Sequence, residues 1–421
     1  MSTTLRLSHR AEWAEGQPIS ELMSRALAEP DLISLAAGFV DEHTLPVDPT
    51  REALASMFAD GGGLKAALQY GTTSGYPALR EAILSRFVQT NACQRDLSID
   101  QVVVTAGSNQ LLHLVSESLL DPGDIVLCSA PTYFVYLGTL GNAGALSYGV
   151  AVDAHGMVPE ALEDSLTRLQ RAGDLPRVKA IYLVPYSDNP CGITMPLERC
   201  ARIVDIAKRW SLERQIHVIA DEAYREMRYE GEDVPSVLTV DDEGDTVIVA
   251  GTFSKSFSPG IRVGWGILPQ HLIGPVCNQK GNIDFGSPNF SQHLMASVMQ
   301  LGLYEPHLER VRAGYRRKLQ AMLAAVDHEL APIGGVRWIT PTGGLYVWLQ
   351  LTDDLPAGPD GPLFNAAIAE GVLYVPGQYC YPTLGEPVRH NTVRLSFGVQ
   401  TPEKIRQGVA ALARSMRHVL G

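Results

Sequence analysis

The chain has 421 residues, which at ~100–200 residues per domain predicts two or three domains, or one large domain with a satellite. Its 45% hydrophobic and 19% charged residues, with 39 Gly and 27 Pro, exclude collagen-like, disordered and coiled-coil classes. Lys and Arg number 34 against 46 Asp and Glu, so the formal net charge is −12; a phosphate backbone is repelled, and nucleic acid is not an expected partner.

The six cysteines, Cys93, Cys128, Cys191, Cys200, Cys277 and Cys380, form no CxxC pair, and no His pair stands at zinc spacing. In a chain of this length that pattern predicts free thiols in a reducing, cytoplasmic compartment, and no metal site. The opening MSTTLRLSHRAEWAEG lacks the apolar core of a signal peptide. No 18-residue apolar run occurs, so no membrane span is expected.

Residues 1–45 are mixed and polar, with a helix-like stretch at Ile19–Ala28. Gly61-Gly62-Gly63 and the segment Tyr70–Pro77 read as loop. From about residue 100, short Val- and Ile-rich runs follow one another: Gln101–Thr105, Asp124–Ser129, Ala145–Val152, Lys179–Val184, Ile216–Asp221, Thr246–Gly251 and Arg262–Leu268. Each is as long as a strand buried on both faces. Amphipathic stretches separate them, such as Leu197–Trp210 with Leu197, Ala201, Ile203, Val204 and Ala207 on one face. Seven strands with helical crossovers predict an α/β layer around a mostly parallel seven-stranded sheet, with helices on both faces.

After residue 290, Leu308, Val311, Tyr315, Leu319, Met322, Val326 and Leu330 recur at three- and four-residue steps, the signature of one long core-packed helix. Strand-like Val336–Thr340 and Leu345–Gln350, a helix near Leu363–Glu370, strands at Val372–Pro376 and Thr392–Phe397, and a helix from Pro402 complete a smaller α+β domain. The expected division is 46–290 for the large domain, and 1–45 with 291–421 for the small one.

In open α/β sheets the ligand sits at the carboxyl ends of the strands, so the residues after each strand carry the argument. Gln101–Thr105 runs into Ala106-Gly107-Ser108-Asn109, a glycine turn feeding N–H groups into a helix start, where Ser108 reads as an N-cap or an anion contact. GxGxxG and GxxxxGK[ST] are both absent, so the dinucleotide and P-loop readings lose their main support. Ile216–Asp221 ends on a carboxylate that needs a cationic or N–H partner at a buried strand end. Thr246–Gly251 leads to Thr252, Ser254 and Lys255, with Arg262 seven residues further on: two hydroxyls and a guanidinium suited to a phosphate dianion. Lysine is scarce here, 7 of 34 basic residues, so one among small hydroxyls after an apolar strand stands out. Asn189 sits in the turn after Lys179–Val184, and Tyr133 follows Asp124–Ser129. A lysine, a phosphate clamp, a strand-end acid and an aromatic together suit pyridoxal 5'-phosphate, held as a Schiff base, its ring nitrogen kept protonated and its face stacked.

The motifs LQYGTTSGYPALR, TAGSNQ, APTY, NPxG, DEAY, FSKSFSPGIRVGW, PTGGLYVW, VPG and RLSF occur in that order. With them the chain resembles the fold type I, pyridoxal-phosphate-dependent aminotransferases of class I/II, nearest the 2-aminoadipate/kynurenine aminotransferase-like subgroup, over nearly its whole length. The resemblance implies an amino group moved between an α-amino acid and a 2-oxo acid. It implies Lys255 as the Schiff-base lysine and proton shuttle, Asp221 at the pyridine nitrogen, and Asn189 and Tyr224 at the phenolic oxygen. Ser108, Asn109, Thr252, Ser254 and Arg262 would hold the phosphate. Tyr70 would reach the phosphate of a neighbouring subunit, making a homodimer the expected state. Arg394, with Asn189 and Gly38 nearby, would take the substrate α-carboxylate.

The same lysine and aspartate also serve a β-lyase, a decarboxylase or a ring-forming synthase. Cys191 replaces the threonine of the family's NPTG, which keeps the asparagine. The strip Gly38–Pro46 departs from the usual F-P ending, and Ser20 stands where members acting on acidic side chains carry arginine. Neutral or aromatic donors are therefore expected to outperform 2-aminoadipate and glutamate, with side-chain recognition near Gly38–Leu45 and residues 16–24. Too few residues precede the catalytic region for the DNA-binding domain of related regulators.

Overall fold

The computed structural model describes residues 6–14, 22, 28–29, 31–36, 38–59 and 61–421; the side chains of 61 and 62, and Ser20 with the rest of 16–24 apart from Leu22, lie outside the described residues, as does most of the expected helix Ile19–Ala28.

All seven expected strands form, within a residue or two of their expected limits: β1 Val102–Thr105, β2 Ile125–Ala130, β3 Leu146–Asp153, β4 Val178–Leu183, β5 His217–Asp221, β6 Val247–Thr252 and β7 Gly264–Ile267. Their spatial order is β3-β2-β4-β5-β6-β7-β1. β3 to β6 pair in parallel, whereas β7 runs antiparallel between β6 and β1. The sheet is wider than seven strands: Leu384–Gly385 from the tail adds in parallel outside β3, and Gly156–Met157 pairs back on β3. The central strands β2, β4 and β5 are buried along nearly their whole length, as their apolar, alternation-free sequences require. Helix Leu197–Trp210 turns Cys200, Ile203, Val204, Ile206 and Ala207 inward, so Cys200 and Ile206 take the fully buried places expected for Leu197 and Ala201.

The glycine triplet is not loop. It opens helix Gly61–Ala67, directly after helix Val47–Ala59. The low helix propensity of glycine is overridden from outside: Asn289 Nδ2 donates to the carbonyls of Ala66 (2.9 Å) and Gln69 (3.0 Å), tying off the helix end.

In the tail, helix Tyr304–Glu329 buries Leu308, Val311, Tyr315, Leu319, Met322 and Val326, and packs on helix Pro402–Leu420. A four-stranded antiparallel sheet runs Arg337–Trp338, Tyr346–Gln350, Thr392–Ser396, Val375–Pro376. The expected single strand Val372–Pro376 is two short ones. Val375–Pro376 joins this sheet, while Val372–Leu373 pairs with Ile33–Ser34 and anchors the strip that follows them.

The direction of β7 matters most for the site. Because it is reversed, its first residue Gly264 lies opposite Thr252 at the end of β6 and opposite Thr105 at the end of β1. A Cβ on Gly264 would stand 2.4 Å from the backbone at Gly107 and Ser108, so only glycine lets the two segments meet. Gly264→Ala must push them apart; it is expected to destabilise the protein by about 1–3 kcal/mol, read as a lowered thermal unfolding midpoint.

Candidate active site

A cavity of about 610 Å³ opens at the carboxyl ends of β1, β2, β4, β5 and β6. It is lined by Gly38, Ser108, Asn109, Tyr133, Asn189, Asp221, Tyr224, Thr252, Ser254, Lys255, Arg262 and Arg394, residues spread over 357 positions of sequence from Gly38 to Arg394. Tyr70 is not among them. It is 80% exposed, packed edge-on against Phe285 with ring centres 5.7 Å apart.

One end of the cavity is rich in donors. Gly107, not Ser108, is the N-cap of helix Ser108–Leu119: its φ of 84° belongs to glycine, no side chain caps the helix, and Ser108 is the first helical residue. The first-turn N–H groups therefore face outward as an anion cradle. Arg262, at φ 51°, folds back so that Nη2 donates to Ala106 O (3.2 Å) and lies where a Gly107 side chain would be. Thr252 Oγ1 donates to Ser254 Oγ (2.9 Å) and accepts from Ser254 N–H (3.1 Å). Among the described residues no carboxylate lies within ion-pair distance of Arg262.

Asp221 closes β5 and is buried. Its Oδ2 accepts from the Tyr182 hydroxyl (2.9 Å) and its Oδ1 from Ala223 N–H (3.2 Å). Burial pushes its carboxyl up to about 6, against the pull of those two donors. No cation among the described residues pairs with it.

Arg394 presents the complementary problem from the other sheet. It is 1% exposed, on the central strand Thr392–Ser396, clamped between the rings of Tyr346 (4.3 Å) and Phe134 (5.3 Å). Nη1 donates to Asn189 Oδ1 and Nη2 to Ala36 O, both at 2.8 Å, while Nε has no partner. No carboxylate among the described residues neutralises it. The Asn189 turn is held by Asp188, whose Oδ1 accepts from Ile193 N–H; Cys191 is buried within that turn, so the asparagine keeps its place despite the changed residue.

Tyr224 and Tyr346 share a hydrogen bond of 3.0 Å between their hydroxyls. Burial, then the neighbouring Tyr346, holds the Tyr224 phenol well above its ordinary range. Tyr133 reaches Asn109 Oδ1 at 3.5 Å. Lys255 Nζ donates to Gly38 O at 2.7 Å. Burial lowers its pKa; Tyr346 opposes this, and the charges of Arg394 and Arg262 lower it further. The neutral, nucleophilic amine is thereby favoured.

Sequence reasoning did not single out Tyr182, Tyr346 or Phe134. The signal for the two tyrosines was present: a phenol inside an otherwise apolar buried strand must find a partner, and both find one in the cavity wall. Phe134 carried no such mark, since nothing local shows that a guanidinium will lie over it.

Residues 30–412 match the model of the aminotransferase class I and II family. The chain is 34% identical over 417 residues to aromatic-amino-acid aminotransferase 1 of Thermococcus litoralis, covering 97% of this chain and 94% of that one. It is 32% identical to the 2-aminoadipate transaminase of Thermus thermophilus, covering 96% of this chain and 95% of that protein. The crystal structure of Pyrococcus horikoshii kynurenine aminotransferase, in complex with PMP, kynurenine as substrate and KYA as product, superposes with a TM-score of 0.90 at 31% identity, over 99% of this chain and 98% of that one. The chain belongs to the class I and II aminotransferases. Its fold is fold type I, and its relatives are those of the 2-aminoadipate/kynurenine subgroup that its motifs resemble.

The raised Asp221 carboxyl predicts a pH-dependent cost in the cofactor-free protein. Folding raises this pKa from 3.8 to about 6, so the folded state binds the extra proton between those values and stability falls as pH rises through them. Asp221→Asn removes the charge. It is expected to stabilise the apoprotein by about 2–3 kcal/mol at pH 8, the advantage shrinking below pH 6, in thermal unfolding measured across that range.

Proposed function

We propose that this aminotransferase holds pyridoxal 5'-phosphate covalently through Lys255 Nζ and moves an amino group from an α-amino acid to a 2-oxo acid. One observation carries the reading. A buried carboxyl without a cation, Asp221, and a buried guanidinium without a carboxylate, Arg394, face the same cavity as an amine whose pKa burial lowers, Lys255. The cofactor fits that set: its ring nitrogen supplies the cation Asp221 lacks, and its phosphate suits the donors of Ser108, Asn109, Thr252, Ser254 and Arg262. When bound, it supplies an electron sink for the pair left as the substrate Cα–H bond breaks.

The protein's share of the chemistry follows from the geometry. Asp221, supported by Tyr182, holds a positive charge at the ring nitrogen. Arg394 uses its free Nε, with Asn189 and the Gly38 backbone beside it, to orient the substrate carboxylate, leaving the Cα–H bond facing Lys255. Nζ, freed as the substrate amine takes its place, would take the α-proton as a general base and give it up again as a general acid. Tyr224 and Asn189 would hold the phenolic oxygen, and Tyr133 would stack on the ring.

Side-chain specificity is read from the walls. Phe39, Val40, Phe134 and Val135 are apolar, which supports neutral or aromatic donors ahead of 2-aminoadipate and glutamate. The named activity of the Thermococcus relative supports the same choice. Two sheets with separate helical layers support the division of the chain at 46–290 against 1–45 with 291–421. No helix among the described residues is long and apolar enough to cross a membrane, and six free thiols support a cytoplasmic location. The exposed Tyr70, packed on the likewise exposed Phe285, supports a homodimer in which Tyr70 completes the partner's phosphate site.

Lys255→Ala is expected to abolish turnover and covalent cofactor retention; borohydride reduction and peptide mapping of the parent enzyme should place the cofactor on Lys255, and a label on another lysine overturns the assignment. The donor half-reaction gives a 2-oxo acid and leaves the cofactor aminated, whereas elimination gives a 2-oxo acid with free ammonia and decarboxylation an amine with carbon dioxide, so product analysis separates the alternatives. For the dimer, Tyr70→Ala and Lys255→Ala subunits are mixed and allowed to exchange. Hybrids, half of the population, each carry one intact site, so activity should recover to about a quarter of the parent value. No recovery in exchanged hybrids, or a fully active monomer in sedimentation, refutes the shared site.

A further inference from the structure

The strip that follows Ile33–Ser34 crosses the cavity mouth, and its attachments are uneven. At its start, Leu35 is bonded on both sides, its N–H to Leu373 O and its carbonyl to Ser396 N–H. Ala36 O accepts from Arg394 and Gly38 O from Lys255. At its far end, every polar group of Asp41 is used. Its N–H donates to the Tyr315 hydroxyl (2.8 Å), Oδ1 accepts from His43 N–H (3.2 Å), its carbonyl accepts from Thr44, and Oδ2 takes Lys318 Nζ (2.9 Å). Lys318 is equally saturated, donating as well to the carbonyls of Gly398 and Val399, both at 3.1 Å. Both partners of the pair are buried.

Between these anchors, Phe39 and Val40 carry no hydrogen bond among the described residues, and both residues line the cavity. Phe39 is 51% exposed. Its carbonyl sits so close to Gly398 that a Cβ there would come within 2.5 Å. The same Gly398 whose carbonyl Lys318 grips is thus the surface against which the Phe39 backbone rests. Lys318 is not among the residues that line the cavity, so the buried pair reaches the site only through the strip it holds.

We propose that Asp41 and Lys318 are positioning residues for donor selectivity: they hold the Phe39 ring as the apolar wall against which the donor side chain packs, so that α-amino acids with large apolar or aromatic side chains are preferred. This rests on the aminotransferase reading of the cavity. The ring acts by burying donor side-chain surface, which alanine does not offer, so its effect lies in KM and in the ratio between donors.

The experiment measures kcat/KM for phenylalanine and for alanine, with one 2-oxo acid acceptor, in the parent holoenzyme, Phe39→Ala, the paired variant Asp41→Asn/Lys318→Met, and the triple variant. The paired change removes both charges together, avoiding a lone buried ion. Phe39→Ala should lower the phenylalanine-to-alanine ratio about tenfold, mostly through KM. The paired variant should lower it by a similar factor, and the triple variant no further, because both changes act through the same ring. An unchanged ratio in Phe39→Ala overturns the proposal whatever the other variants do. A paired variant that weakens both donors equally, or whose effect adds in full to that of Phe39→Ala, shows a structural role and also overturns it. Absence of transfer from any donor in the parent enzyme instead overturns the functional reading on which the proposal stands.

Discussion

The structure depends on two opposite charges buried apart from each other. Asp221 ends a strand of the large sheet, Arg394 lies in the middle of the small one, and neither has an ionic partner among the described residues. Burying a charge is unfavourable unless it is paired or hydrogen-bonded, and each receives only part of what it needs: Tyr182 and one N–H for Asp221, two carbonyl oxygens and two rings for Arg394. A direct salt bridge would have satisfied both and left nothing for a ligand. Held separately, they favour occupation of the cavity by a molecule bearing a cation at one end and by another bearing a carboxylate, and ligand binding must then stabilise the fold.

Strand direction converts this into a site. Parallel strands gather their carboxyl ends on one edge of the sheet, which places Tyr133, Asn189, Asp221 and Lys255 within one cavity although they leave four different strands. The reversed β7 adds what a purely parallel sheet could not: its beginning lies at that same edge, bringing Arg262 against the Gly107 turn. The phosphate-type donors thus come from three segments whose contact depends on two glycines, one with a left-handed backbone and one with no room for a side chain.

The small sheet contributes orientation rather than reactivity. Tyr346 links two functions in one side chain, bonding Tyr224 and covering Arg394. The strip from Leu35 to Asp41 lies across the seam between the sheets, tied to both, so the geometry of the cavity mouth follows the packing of helix Tyr304–Glu329.

Local pattern was enough for the strands, the long tail helix and the residues that follow each strand. Hydrophobic period and strand-end position are properties of short segments, and Lys255, Asp221 and the Thr252–Ser254 hydroxyls announced themselves by being polar where apolar residues had just ended. The glycine triplet at 61–63 misled because a distant asparagine secures that helix. Ser108 lost the cap position to Gly107 because the turn needs a positive φ. The partners were beyond reach of local pattern: Arg394 meets Asn189 across 205 positions, Tyr346 meets Tyr224 across 122, and Lys318 meets Asp41 from helix Tyr304–Glu329. The sequence by itself determined which groups would be present and at which strand ends. Only the tertiary structure decided which charges stay unpaired, because pairing depends on distances of a few ångströms between segments far apart in the chain.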